Sequence, residues 1–269
     1  LNKMLDVYYE ILTQEKATLI NTRDDCINVT FLKKFLEHLS KEEDYELEMK
    51  VSEFYKKRIR LYNSKTEVDK QLGLFDLHPL TIRNKKTDKV RLDRPGWKNR
   101  YYLHNFNTYY GNKTEIEKIC SSYYTTLNWV YQYYFKTTCP SWNWCYPYLN
   151  PPAMTDLVEF FKYDLNNIEF PTSSPIKPLE QLLNVLPPAS KDLLPVEYNK
   201  LMIEPESPLI DLFPEHFSMD CLYKYRFYMC EPKLPWMDLK HIHKTVKHIK
   251  LKKQDQKRNT LQEPIIFKR

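Results

Sequence analysis

Prolines follow one another so closely between Pro140 and Pro214 that neither a long helix nor a central β-strand fits there. Each pyrrolidine ring removes a backbone donor and clashes with the turn before it. Only short helices have room, and 155–164 and 178–186 are the two predicted, the second on the stripe Leu179, Leu182, Leu183 and Leu186. Glycine, the residue that would permit tight phosphate-binding loops, occurs only at positions 73, 96 and 111. Rossmann and P-loop cradles need several glycines within a few residues, so both are excluded.

Longer elements are predicted where prolines are sparse. Leu1, Leu5, Tyr8 and Leu12 fall at helical spacing, a turn follows at 21–28, and Phe31, Leu32, Phe35, Leu36 and Leu39 share one stripe. This is a helical hairpin whose second helix is expected to continue through Leu47, Val51, Phe54 and Tyr55 to about Leu61. Periodicity is then lost up to Asp93-Arg-Pro-Gly96, which reads as a linker or long surface loop. The strongest helix follows, with Thr114 and Glu117 as a capping box. Its predicted core face carries Ile116, Ile119, Cys120, Tyr123, Leu127, Val130, Tyr131 and Tyr134. A last amphipathic helix starts at Asp238 as N-cap and runs through Leu239, Ile242, Val246 and Ile249. The expected fold is mostly α: an irregular helical domain with long proline-rich loops. It divides into an N-terminal hairpin (1–62), a linker or surface loop (63–96) and a main helical part (97–269) that ends in a basic helix.

With 42% hydrophobic and 28% charged residues and a net charge of +6, the chain has the balance of a folded protein. No apolar run reaches the roughly 20 residues that cross a bilayer, and the first ten residues lack the pattern of a signal peptide. Six cysteines without C-x-x-C spacing read as reduced thiols, so an intracellular location, cytoplasmic or nuclear, is expected. The positive excess lies at the C-terminal end, where residues 240–269 hold ten basic against two acidic side chains. Such a segment either neutralises phosphates or solvates the polar face of a helix. His241 and His243 point to different faces, and no metal site is assigned. The acidic run Glu42, Glu43, Asp44, Glu46 and Glu48 is interleaved with its surroundings as a solvated helix face, not as a two-metal cluster. No catalytic residue is assigned.

The stretch Pro140-Ser-Trp-Asn-Trp-Cys-Tyr-Pro-Tyr148 is the most unusual. In an extended conformation Trp142, Trp144, Tyr146 and Tyr148 would project to one side as a ladder. Rings so arranged either stack on nucleobases or plug a core between helices.

Trp97-Lys-Asn-Arg-Tyr-Tyr102, Leu127-Asn-Trp-Val130 with Tyr133-Tyr134, Ser141-Trp-Asn-Trp144 and Tyr146-Pro-Tyr148 resemble, in order, the helical region of Xrn-type 5′→3′ exoribonucleases. The likeness continues through Glu180-Gln-Leu182, Val185-Leu-Pro187, Ser190, Leu194-Pro195, Ser207-Pro-Leu-Ile-Asp211, Phe213-Pro214, Leu234-Pro235 and Arg258-Asn259. Residues 1–50 also look like the helical hairpin that follows the nuclease domain in that family. The resemblance implies that the acidic, magnesium-binding centre lies in an N-terminal nuclease domain that this chain does not contain. No cofactor is expected here, and Mg²⁺ belongs to the missing domain. The implied partners are that nuclease half, in the same or another chain, and single-stranded RNA with a 5′-monophosphate. The implied role is to brace the nuclease domain and help thread the RNA, with a tryptophan stacking near its 5′ end. Trp142 and Trp144 match the position of that tryptophan. Tyr146, Tyr148, Lys98 and Arg100 are further candidates for contact with RNA or with the nuclease domain.

Leu1 in place of Met favours a fragment. Departures cluster near the stacking segment. Tyr146-Pro-Tyr-Leu149-Asn150-Pro-Pro152 stands where the family reads Tyr-Pro-Tyr-His-Tyr-Ala-Pro, Thr126 replaces a usual glycine, and Cys221-Leu-Tyr-Lys224 replaces a short turn. They motivate a second reading: an Xrn-derived structural or protein-interaction module without nuclease activity, of the kind a large DNA virus would carry.

Overall fold

In a computed structural model, residues 2–56, 66–68, 70, 88–136, 139–224 and 226–260 are described. The chain forms two units, Leu1–Thr172 with Leu222–Arg226, and Ser173–Cys221 with Phe227–Arg269. The structure is mostly helical, as expected.

In the first unit, α1 (Asn2–Glu15) is joined to α2 (Val29–Ser40) through a small antiparallel hairpin of β1 (Ile20–Asn21) and β2 (Cys26–Ile27), with Ile20 opposite Ile27. Asn28 starts α2 by accepting the backbone N–H of Phe31 at 3.1 Å. Val7 and Ile11 of α1 bury against Phe31, which fixes the two helices face to face.

The second helix of the predicted hairpin does not run on to Leu61. It stops at Ser40, and α3 (Glu43–Lys56) begins after a turn; residues 57–65 lie outside the described residues. The acidic first turn of α3, Glu43, Asp44 and Glu46, suits a helix N-terminus. Two of these residues also anchor the break elsewhere in the unit. Glu43 accepts the backbone N–H groups of Met154 and Thr155 and the Thr155 hydroxyl, so it caps α6 (Met154–Glu159) from outside. Asp44 accepts the indole N–H of Trp97 at 2.7 Å.

The end of the predicted surface loop is packed: Val90 is fully buried, and Asp88 is nearly so. Asp88 accepts from the backbone of Val90 and Arg91 and from the hydroxyls of Tyr55 and Tyr223. Gly96, at φ +75°, turns the chain into α4 (Trp97–Phe106), a left-handed conformation that favours glycine.

The long helix α5 (Lys113–Phe135) is present, but its cap and face differ from expectation. Asn112, not Thr114, is the N-cap, accepting from Glu115 N at 3.3 Å. The buried face is Ile116, Ile119, Cys120, Tyr124, Asn128 and Tyr131, while Val130 and Tyr134 are exposed. A row of aromatic residues along 129–135 offers a ring to every side, so the stripe could be drawn one residue off. Around α5 gather Leu32 and Leu36 of α2, Trp97 and Tyr102 of α4, Leu157 of α6, and Leu165 in a 3₁₀ turn. Predicted helix 155–164 stops at Glu159 because Phe160 and Phe161 turn into this core.

In the second unit, α7 (Pro178–Val185), α8 (Val196–Ile203), α9 (Leu239–Val246) and α10 (Lys253–Arg258) are joined by 3₁₀ turns and one antiparallel pair, β3 (Ser218–Asp220) with β4 (Glu231–Lys233). Leu179, Leu183, Tyr198, Met202, Leu209, Phe213, Ile242 and Val246 are its core. Asp238 caps α9 as predicted, accepting from Lys240 N and His241 N. Among the described residues, no helix is long and apolar enough to cross a membrane.

Candidate nucleic-acid interface

The C-terminal half of α5 positions the tryptophan-rich segment. Asn128 is buried in the helix and donates to the Leu165 carbonyl at 2.9 Å, which holds this half against the core. One residue on, the Trp129 indole N–H donates to the Ser141 carbonyl at 2.9 Å, and the Tyr133 ring stacks on Trp129 with centroids 5.2 Å apart and planes at 9°. The returning chain is therefore pinned to α5 at Ser141.

Ser141 then imposes a turn. Its buried hydroxyl accepts from Asn143 N at 3.4 Å, curling the backbone through Trp142 and Asn143. The turn breaks the predicted ladder. Beyond it the chain alternates as an extended segment should, with Trp144, Tyr146 and Tyr148 half-buried and Cys145, Pro147 and Leu149 exposed. Trp144 packs edge-on against Phe170 at 5.9 Å, Tyr146 against Tyr123 at 5.7 Å, and Tyr148 against Phe106 at 5.2 Å. Tyr146 also donates to the Asn150 carbonyl at 3.1 Å, and burial raises the pKa of its phenol. Three of the four rings are therefore half-buried against other aromatic side chains of the unit, Tyr148 at its core. Trp142 is directed elsewhere and is 51% exposed. The indole N–H of Trp144 is enclosed and meets no acceptor among the described residues.

Lys98 and Arg100 are likewise held within the unit. The Lys98 ammonium donates to Asp156 Oδ1 at 2.7 Å and to the Tyr110 hydroxyl at 3.2 Å. Asp156 is fully buried and also accepts from Tyr110 at 2.8 Å and Tyr102 at 2.7 Å. Burial works against the charge on Lys98, but the hydrogen bond and charge of Asp156 outweigh it and raise its pKa. Arg100 sends Nε to the Val90 carbonyl at 2.6 Å and its other nitrogens to the carbonyls of Pro95, Arg91 and Arg94, each at 2.9 Å. Four carbonyls occupy four of the five donors a guanidinium has, so Arg100 is a clamp on the 90–95 loop.

The exposed counterpart of this packing was not singled out from the sequence. Tyr133, Tyr134 and Phe135 end α5 with 44%, 71% and 57% exposure, beside the segment that presents Trp142. Phe135 stacks on Tyr131 at 5.6 Å, and Tyr133 meets Tyr134 edge-on at 5.2 Å. These contacts give the rings fixed planes. Fixed, exposed π-faces can take up unstacked bases or an apolar protein surface. Nearby, Lys136 lies 3.6 Å from Asp25, so its charge is already paired.

The family model described as "Xrn1 helical domain" matches residues 21–269. The chain belongs to this family. Its relatives include 5′-3′ exoribonuclease 2 of Schizosaccharomyces pombe, 35% identical over 189 residues, which are 70% of this chain and 19% of that protein. The Gallus gallus protein of the same name is 35% identical over 182 residues, 67% of this chain and 19% of its own length. A Caenorhabditis briggsae homolog is 38% identical over 177 residues, 64% and 18% respectively. This Xrn1 helical domain thus spans about a fifth of the length of the relatives it matches. Among its described residues, no three His, Cys, Asp or Glu side chains converge as a metal site.

Proposed function

We propose that this chain is the non-catalytic helical region of a 5′→3′ exoribonuclease, which braces a nuclease domain and helps thread single-stranded RNA bearing a 5′-monophosphate. Family membership supports the first half of this reading. The exposed rings of Trp142 and of the last turn of α5 support the second half, because threading needs rings that are oriented and exposed. Hydrolysis and its Mg²⁺ belong, in this reading, to the nuclease domain. Trp142 is the favoured stacking residue, since it is 51% exposed while Trp144 is half-buried.

The test is to assay the isolated chain, then the chain with its nuclease half, on 5′-phosphorylated RNA with Mg²⁺. The isolated chain should be inert, and the pair active. Trp142→Ala should lower the paired activity roughly 10-fold, because one base–aromatic stack contributes about 1–3 kcal/mol. Turnover by the isolated chain, or a paired activity indifferent to Trp142→Ala, refutes the corresponding half.

A second reading, a structural or protein-interaction module without nuclease function, is favoured by the internal commitment of Lys98 and Arg100. Filter binding of single-stranded RNA over a salt series separates the two. A threading surface shows affinity that falls with salt, whereas an interaction module shows no binding.

A further inference from the structure

The second unit holds a cavity of about 550 Å³ that the reading above does not use. Its polar end is the carboxylate of Glu180, only 4% exposed. Oε2 faces Nδ1 of His243 at 3.2 Å, and Oε1 has no hydrogen-bond partner of its own among the described residues. Solvent still reaches Oε1, so it is an acceptor open to the cavity, where an N–H donor can meet it. Burial together with the Glu180 charge also pushes the Tyr198 phenol up to about 12.

Two further features restrict what could enter. Lys177 and Lys247 line the same cavity, and neither has an acidic partner among the described residues. Ile249 and Leu251 supply an apolar wall. A bare phosphate would satisfy the lysines but set an anion beside Glu180. A simple amine would satisfy Glu180 and leave the lysines unmatched. The ligand must carry adjacent N–H donors, a flat apolar body and an anion.

We propose that this cavity binds a guanine nucleotide, with the base donors on Glu180 and the phosphate on Lys177 and Lys247. The N1–H and amino group of guanine form a two-donor edge that a carboxylate accepts. Cytosine offers one amino donor, and adenine pairs an amino donor with a ring acceptor. The ring rests on Ile249 and Leu251. The volume falls in the usual range for small-molecule sites, ≈ 300–1,000 Å³.

The experiment is calorimetric titration of the 269-residue chain with GMP, CMP, AMP, inorganic phosphate and a short guanine-ended RNA. GMP should bind at least about 10-fold more tightly than AMP or phosphate, a difference of ~1.4 kcal/mol. Glu180→Gln should erase that preference, because an amide side chain pairs with adenine instead. Lys177→Ala with Lys247→Ala should weaken every nucleotide alike. Tighter binding of the RNA than of GMP assigns the site to a strand residue, and the reverse assigns it to a free nucleotide. Equal binding of GMP, AMP and phosphate to the native chain overturns the proposal, as does a folded Glu180→Gln variant that keeps the guanine preference. Because Trp142→Ala leaves this cavity untouched, its failure on RNA and the failure of GMP binding are separate results.

Discussion

Asp156→Asn is the sharpest single test of how the first unit is held together. Asp156 is fully buried, and its two oxygens receive Lys98, Tyr110 and Tyr102 at 2.7–2.8 Å. An asparagine keeps the shape but removes the charge and one acceptor. Lys98 then loses its counter-charge, and the hydroxyl of Tyr102, which already accepts from Ala153 N at 3.1 Å, faces an amide donor. Breaking a buried pair from one side costs about 3–5 kcal/mol. The Lys98 side chain keeps 20% exposure and water can still reach it, so the low end, about 3 kcal/mol, is expected. Urea denaturation at pH 7, followed by near-ultraviolet circular dichroism, measures the loss. Lys98→Met should destabilise as well. In the double variant the losses should fall short of additivity by at least about 1.5 kcal/mol, as coupled neighbours do. A loss below about 1 kcal/mol for Asp156→Asn, or strict additivity, would show that the network does not organise this unit.

Glu43→Ala should cost about 1–2 kcal/mol by uncapping α6, measured by the same denaturation, while Glu48→Ala, exposed on α3, should be neutral. Arg100→Lys cannot reach four carbonyls, so limited proteolysis should cut the 90–95 loop several-fold faster than in the parent. The alkaline limb of stability follows from Lys98 and the buried tyrosines, whose pKa values are raised in the folded state. Each loses its proton more readily when unfolded, so stability holds below about pH 10 and falls as pH rises through the range where Tyr198 titrates, up to about 12. Unfolding free energy measured from pH 8 to 11 should decline only above about 10. Burial, with Asp156 and Glu159 nearby, pushes the Cys120 thiol up to about 12, so it should resist alkylation at pH 8 until urea unfolds the chain.

Several local signals have their counterpart in the fold, although the predicted Thr114 cap gives way to Asn112 two residues earlier. The turn before α2, the stripe through Phe31, Leu32 and Leu36, and the Asp238 cap of α9 depend on residues within a few positions of each other, and each has its predicted counterpart. The break after Ser40 was not legible, because it is anchored by Glu43 on α6 and Asp44 on Trp97, more than 50 residues away. In the candidate interface, the importance of the tryptophan-rich segment was visible in its composition. Its division was not, since the turn at Ser141 and the rings of Tyr123, Phe106 and Phe170 decide which aromatics face inward.

The sequence by itself determined a mostly helical chain, the short helices among its prolines, and the ordered motifs that mark its family. Those follow from backbone chemistry and from residue patterns that need no partner across the fold. Only tertiary structure decided that Lys98 and Arg100 are internal braces, that Trp142 is the exposed ring of its four-ring stretch, and that Glu180 lines one cavity with two lysines that have no acidic partner among the described residues. Burial and charge pairing are properties of groups brought together from distant positions, and a linear pattern carries no record of which groups those will be.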